Sequence, residues 1–116
     1  MNRNERVSRI GCDVHRTFST MTARDKDNQI VWRQRLEHRD REAMRKSLQA
    51  IPGGTPVVLE SSFGWGWMSD ELAAAGLTPR LAHARKVAKW REARGLAKSN
   101  RLDSDLLAEL PSQTPP

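Results

Sequence analysis

The sequence predicts an α/β domain with a mixed sheet flanked by helices, and three observations predict it. Three strand-like runs follow one another between Val7 and Leu36. A short continuous apolar run, Val57-Val58-Leu59, sits between two helix-like segments, as a central strand covered on both faces does. Strand and helix patterns then alternate toward the end of the chain, the mark of a layered α/β arrangement.

Val7–Val14 puts Ile10, Cys12 and Val14 on one side and reads as a strand. Phe18–Ala23 reads as a second, and the polar cluster Arg24-Asp25-Lys26-Asp27-Asn28-Gln29 turns the chain into a third, Ile30–Leu36. The three form an antiparallel meander. Asp40–Ala50 has helical spacing, with Met44, Leu48 and Ile51 apolar among charges, and Pro52-Gly53-Gly54 stops it. Pro56–Leu59 is the central strand. Ser61 and Ser62 are candidate caps for a helix over Gly64–Ala75, which Gly76 ends at its C′ position. Thr78–Ala82 is a further short strand, His83–Arg94 a basic helix broken by Gly95, and Asn100–Leu110 the last helix. The order is βββαβαβαα, with no internal repeat. Residues 1–110 form one domain, and Pro111–Pro116 reads as a disordered tail.

At 116 residues the chain has the length of one domain with a modest core. Charged residues at 29% and hydrophobic residues at 37% belong to a soluble folded domain rather than a disordered one. No stretch approaches the roughly 18 apolar residues of a membrane span, and the basic start MNRNERVSR is followed by no long apolar segment of a signal peptide. Cys12 is the only cysteine, which excludes an internal disulfide and a cysteine-based zinc site. Inside an apolar strand it reads as a small packing residue rather than a nucleophile.

The net charge of +6 is unevenly placed. Arg80, Arg85, Lys86, Lys89, Arg91, Arg94, Lys98 and Arg101 share one window with the single acid Glu92, so the rest of the chain is close to neutral. A basic stripe of this density suits the phosphate backbone of DNA or RNA. A solvated helix face is the other reading of such a run.

Four polar positions far apart in the chain are candidate metal ligands: Asp13, Glu60, Asn100 and Asp103. Asp13 and Glu60 each end a buried strand, where side chains project into a crevice. Mg²⁺ or Mn²⁺ binds carboxylate and carbonyl oxygens, and paired metals clamp the attacking and leaving oxygens of a phosphodiester. An Asp among Ile10, Cys12 and Val14 is costly to bury unless paired or bound to metal, although a strand-end Asp is also satisfied by neighbouring backbone. Glu60 has a rival role as a helix-entry carboxylate. Asn100 and Asp103, three apart, share a helix face. Asn100 is equally good as an N-cap with Asp103 at the third helical position. Asp105 is turned about 200° from Asp103 on a helix and does not substitute for it.

Other side chains read as structural. His15 is expected on the side of the strand opposite Asp13, as a partly buried residue. Trp65, Trp67 and Met68 are expected in the core, and Trp90 is a weak candidate for nucleic-acid contact. Ser61 and Ser62 read as caps rather than nucleophiles.

The motifs Ile10-Gly11-Cys12-Asp13-Val14-His15, Leu59-Glu60-Ser61-Ser62-Phe63-Gly64-Trp65 and Lys98-Ser99-Asn100-Arg101-Leu102-Asp103, the last leading into Leu107-Ala108-Glu109-Leu110, carry a family resemblance. The approach His83-Ala84-Arg85-Lys86-Val87 and Ala93-Arg94-Gly95 adds to it. Over Val7–Leu110 the chain resembles a ribonuclease H-like domain of the RuvC type, and more narrowly the N-terminal DEDD domain of insertion-sequence transposases of the "IS one-ten" family, relatives of the Piv and MooV recombinases.

The resemblance implies catalytic and metal-binding roles for Asp13, Glu60 and Asp103, with Asn100 where a third Asp is expected, and Mg²⁺ or Mn²⁺ as cofactor. It implies DNA as partner, a structured guide RNA from the element in some members, possible self-association, and a bacterial-type cytoplasmic, nucleoid-associated setting. Complete members carry a C-terminal domain with a serine nucleophile, and this chain is expected to be the front portion of such a protein, inactive or weakly active alone. Two other readings stay open: a non-catalytic nucleic-acid-binding remnant, and a stand-alone RuvC-like nuclease. An ATP-binding relative of the sugar kinases would need Gly-rich phosphate turns that are absent here.

Overall fold

Alternation of apolar and polar side chains carries the first third of the chain into an antiparallel meander. The computed structural model describes residues 3–60, 64–82, 84–96 and 102–110, with the side chains of residues 3 and 84–86 outside that description. After a short 3₁₀ turn, β1 (Arg9–Val14), β2 (Phe18–Arg24) and β3 (Ile30–Glu37) follow in sequence. Asn28 turns the chain between β2 and β3 at a φ of 64°, a conformation Asn tolerates better than most residues. α1 (Arg41–Gln49) starts at Asp40, whose side chain accepts the Ala43 N–H at 3.1 Å, as an N-cap does.

β4 (Pro56–Leu59), α2 (Trp65–Ala74), β5 (Thr78–Leu81), α3 (Ala84–Ala93) and α4 (Ser104–Glu109) complete the chain. The expected strands and first three helices are therefore present, with ends shifted by a residue or two. α2 ends as expected: Gly76 has a φ of 86°, and Leu77 N–H reaches back to the Leu72 carbonyl, which closes a Schellman motif. Its start differs. Gly64, at a φ of 81° and without a side-chain cap, precedes the helix, and Ser61 and Ser62 lie outside the described residues, as does the tail 111–116.

The five strands form one mixed sheet in the order β3-β2-β1-β4-β5. β1, β2 and β3 pair antiparallel, whereas β4 lies parallel to β1 and β5 parallel to β4. A β-strand shows successive side chains to opposite faces, and this divides the interior in two. Ile10, Cys12, Met21, Trp32, Val57 and Leu59 join Met44 and Leu48 of α1 and Met68 and Leu72 of α2 in the larger core. Val58 joins Val87 of α3 with Leu102, Leu107 and Leu110 around α4 in the smaller one. Among the described residues no helix is long and apolar enough to cross a membrane.

Candidate functional site

Strand register brings the first two candidate residues together. β1 and β4 run parallel with Cys12 opposite Leu59, so the next residues, Asp13 and Glu60, come side by side at the carboxyl ends of both strands. Side-chain alternation puts Asp13 on the face of Gly11 and Glu60 on the face of Val58, which is the α4 side of the sheet. Antiparallel pairing extends the row: Asp13 lies opposite Thr20, and Thr20 opposite Arg35. Glu60, Asp13, Thr20 and Arg35 thus cross four strands in a line, at the end of the sheet where open α/β folds place their sites.

α4 delivers Asp103 to the same end. A Cβ built on Gly11 would stand 2.3 Å from both Ala108 N and Ser104 O, so only glycine lets this helix lie against β1. Polar contacts then fix the helix. Thr22 Oγ1 meets Ser104 Oγ at 2.9 Å and donates to Asp105 Oδ1 at 2.5 Å. Arg33 grips the Asp105 carboxylate with Nε at 2.9 Å and Nη2 at 2.8 Å. Arg9 Nε donates to the Ala108 carbonyl at 2.6 Å. The hydrogen bonds from Arg33 first, and then from Thr22, hold the Asp105 carboxyl below its ordinary range despite partial burial.

Here one expectation fails. The last helix begins at Ser104, not Asn100, and Asp103 is its N-cap, with φ −82° and ψ 177° and Oδ1 accepting Leu106 N–H at 2.9 Å. One residue earlier, the Leu102 N–H donates to Glu60 Oε2 at 3.2 Å, and Leu102 precedes the helix. Asp103 is therefore no third residue of a helix capped by Asn100. Asn100 itself lies outside the described residues.

Each carboxylate has a protein partner. Asp13, 6% exposed, holds His15 Nε2 on Oδ2 at 2.9 Å. That corrects the placement of His15: two residues apart on a strand share a face. Glu60 Oε1 receives Arg91 Nη2 at 2.8 Å. Neighbouring Cys12 is buried as expected, and its thiol is pushed up to about 12 by burial and by the Asp13 charge, far from a nucleophile's range. The oxygens of Asp13, Glu60 and Asp103 are the donors a hard divalent cation prefers, and they share one face and one end of the sheet. As the side chains stand, no three His, Cys, Asp or Glu among the described residues group closely enough to hold an ion.

The basic stripe divides by environment. Lys89 of α3 and Arg94 just past its end are exposed, with Arg94 beside Trp90 and paired to Glu109 at 3.1 Å. Arg91 departs from the expected surface role: its side chain, 14% exposed, points inward to Glu60. Arg80 is half-buried on β5. The side chains of Arg85 and Lys86, and all of Lys98 and Arg101, lie outside the described residues.

Two features escaped the pattern of residues. The Arg9, Thr22, Arg33 and Asp105 clamp on α4 joins positions up to 99 apart, and no local spacing announces it. An open cleft of about 380 Å³, lined by Thr20, Arg33, Arg35, Asp103 and Asp105, adjoins the carboxylate row. The alternation Arg33-Gln34-Arg35 was the available signal. Of the aromatics, Trp67 packs on the larger core and Met68 is buried, as expected, but Trp65 is 40% exposed. No protein-family model matches the chain, and no curated protein matches it significantly.

Proposed function

We propose that this chain is the N-terminal, ribonuclease H-like domain of a DNA transposase or recombinase that moves an insertion sequence, binding nucleic acid and a divalent metal. The observation that carries the reading is the position of Asp13 and Glu60, each one residue past the Cys12–Leu59 pair at the carboxyl ends of adjacent parallel strands, with α4 held so that Asp103 reaches the same end. Asp13, Glu60 and Asp103, with Asn100, would hold Mg²⁺ or Mn²⁺, which when bound supplies charge stabilisation at a phosphodiester. Lys89 and Arg94 present positive charge to a DNA or guide-RNA backbone. Gly11 and the Arg33–Asp105 pair keep α4, and so Asp103, in register with β1.

One observation favours a second reading, a non-catalytic nucleic-acid-binding remnant. Glu60 is engaged by Arg91 and Leu102, and Asp103 by its own helix. Mn²⁺ titration by calorimetry, beside duplex DNA binding over a salt series, tests both readings. The domain reading expects Mn²⁺ binding that Asp13→Asn and Glu60→Gln each abolish, and DNA binding that Lys86→Glu, Lys89→Glu and Arg94→Glu together weaken for any sequence, with a flatter salt slope. Retained DNA binding without Mn²⁺ binding selects the remnant. A triple variant that binds DNA like the parent at low salt removes both.

A further inference from the structure

Phe18 belongs to neither apolar cluster. It is a half-buried aromatic on the α4 face of the sheet, beside the carboxylate row, and its ring neighbours are polar and planar. The His15 imidazole stacks on it at 4.5 Å between centroids and an interplanar angle of 22°. The Arg35 guanidinium carbon lies 3.8 Å from its ring centre. β2 lies between β1 and β3 in the sheet, so the imidazole comes from one side and the guanidinium from the other. The Arg35 side chain is 57% exposed, and an ion pair with Glu37 further steadies it.

A phenyl ring in a small domain is normally placed in the core, where it removes the most apolar surface from water. Here the same ring aligns an imidazole and a guanidinium at the open end of the sheet. His15 also holds Asp13, which joins the stack to the candidate site. Arg35 lines the cleft that Asp103 borders. A guanidinium held over a ring in a side chain more than half exposed is a group on which a nucleobase stacks, and such stacking accepts any base. Bases inside a duplex already stack on one another, so only an unpaired base gains.

We infer that the His15–Phe18–Arg35 stack is a platform for an unpaired nucleobase of a single-stranded segment lying next to the carboxylate row. This rests on the proposed nucleic-acid function, and adds to it which form of nucleic acid meets this end of the sheet. Arg35 supplies the stacking plane. Phe18 is a positioning residue that holds it.

Fluorescence anisotropy with a labelled single strand, and with a duplex carrying the same number of phosphates, tests the assignment in the full chain. Arg35→Lys keeps the charge and loses the plane, and Phe18→Leu keeps apolar bulk and loses the ring. Each is expected to weaken single-strand binding about tenfold, the scale of one lost base stack, while duplex affinity and the salt slope stay as in the parent. Thermal melts confirm that both variants fold, and Arg35→Lys, at an exposed position, keeps the test open should Phe18→Leu fail to fold. Parent-like single-strand binding by Arg35→Lys overturns the platform, and so does an equal loss on single strand and duplex. A parent that binds neither form overturns the nucleic-acid reading beneath it.

Discussion

Arg91 and Glu60 form the hinge of the candidate site, with Nη2 on Oε1 at 2.8 Å while the other oxygen accepts Leu102 N–H at 3.2 Å. One carboxylate at the end of β4 thereby ties down α3 and the approach to α4. A guanidinium on a candidate metal ligand also competes with any cation for that ligand. Arg91→Met is expected to lower stability by about 1–3 kcal/mol, since it leaves a partly buried carboxylate without this partner. It is also expected to raise Mn²⁺ affinity by about tenfold or more, because a close positive charge is removed. Calorimetric titration of parent and variant checks it, and unchanged or weaker Mn²⁺ binding would mean that Glu60 serves only as a tether.

Gly11→Ala is expected to disrupt the domain more than its size suggests. The added methyl meets backbone atoms of Ser104 and Ala108 at 2.3 Å, which no side-chain rotation relieves. Overpacking of this kind costs about 1–3 kcal/mol or more. α4 should lift from β1, so hydrogen exchange of the Leu106 and Leu107 amides should rise while the α1 amides stay protected. Unchanged exchange at α4 would refute the close approach.

Asp105→Asn tests the clamp through pH. The Asp105 carboxyl is held low chiefly by the hydrogen bonds from Arg33, so its folded pKa lies below its unfolded one. Such a group contributes stability above the unfolded pKa, and the contribution is lost as pH falls through the folded pKa. At about pH 7 the variant should melt below the parent, and the gap should close in acid, below the ordinary carboxylate range. Urea melts across that range check it. A gap that stays constant down to low pH would mean that shape, not charge, holds Asp105.

Asn100→Asp separates metal binding from capping. Asp103 caps α4 through Leu106 N–H, so a change at Asn100 should leave that cap intact, whereas Asp103→Ala should cost about 1 kcal/mol. If Asn100 is the fourth ligand, an added carboxylate should tighten Mn²⁺ binding. Parallel Mn²⁺ titrations of parent and variant decide the matter. Equal affinities place Asn100 outside the metal's reach.

Local pattern was enough for most of the frame. The alternation in β1 to β3, the helical spacing of α1, the Gly76 stop and the unbroken apolar run of β4 each depend on neighbours in the chain, and each was legible in order. The position of Asp13 beside Glu60 was legible for a related reason: two acids ending buried strands have few places to go except the open end of a sheet. By contrast, the start of the last helix was misread because Asn100 and Asp103 both make good N-caps, and the contacts that seat α4 come from residues as distant as Thr22, 82 positions from Ser104.

The sequence by itself determined the elements, the two-sided sheet and the concentration of positive charge, because propensity, periodicity and composition act over a few residues. Only the tertiary structure decided which charges are spent inside the fold. Arg91 and Arg94 are alike in a basic run and only three residues apart, yet Arg91 reaches Glu60 inside the fold while Arg94, just past the end of α3, pairs with Glu109 at the surface. Phe18 and Trp32 are alike as strand aromatics, yet Trp32 is buried and Phe18 is half-buried against His15 and Arg35. Strand parity assigns the face, and whether a helix covers that face depends on contacts between residues distant in the chain.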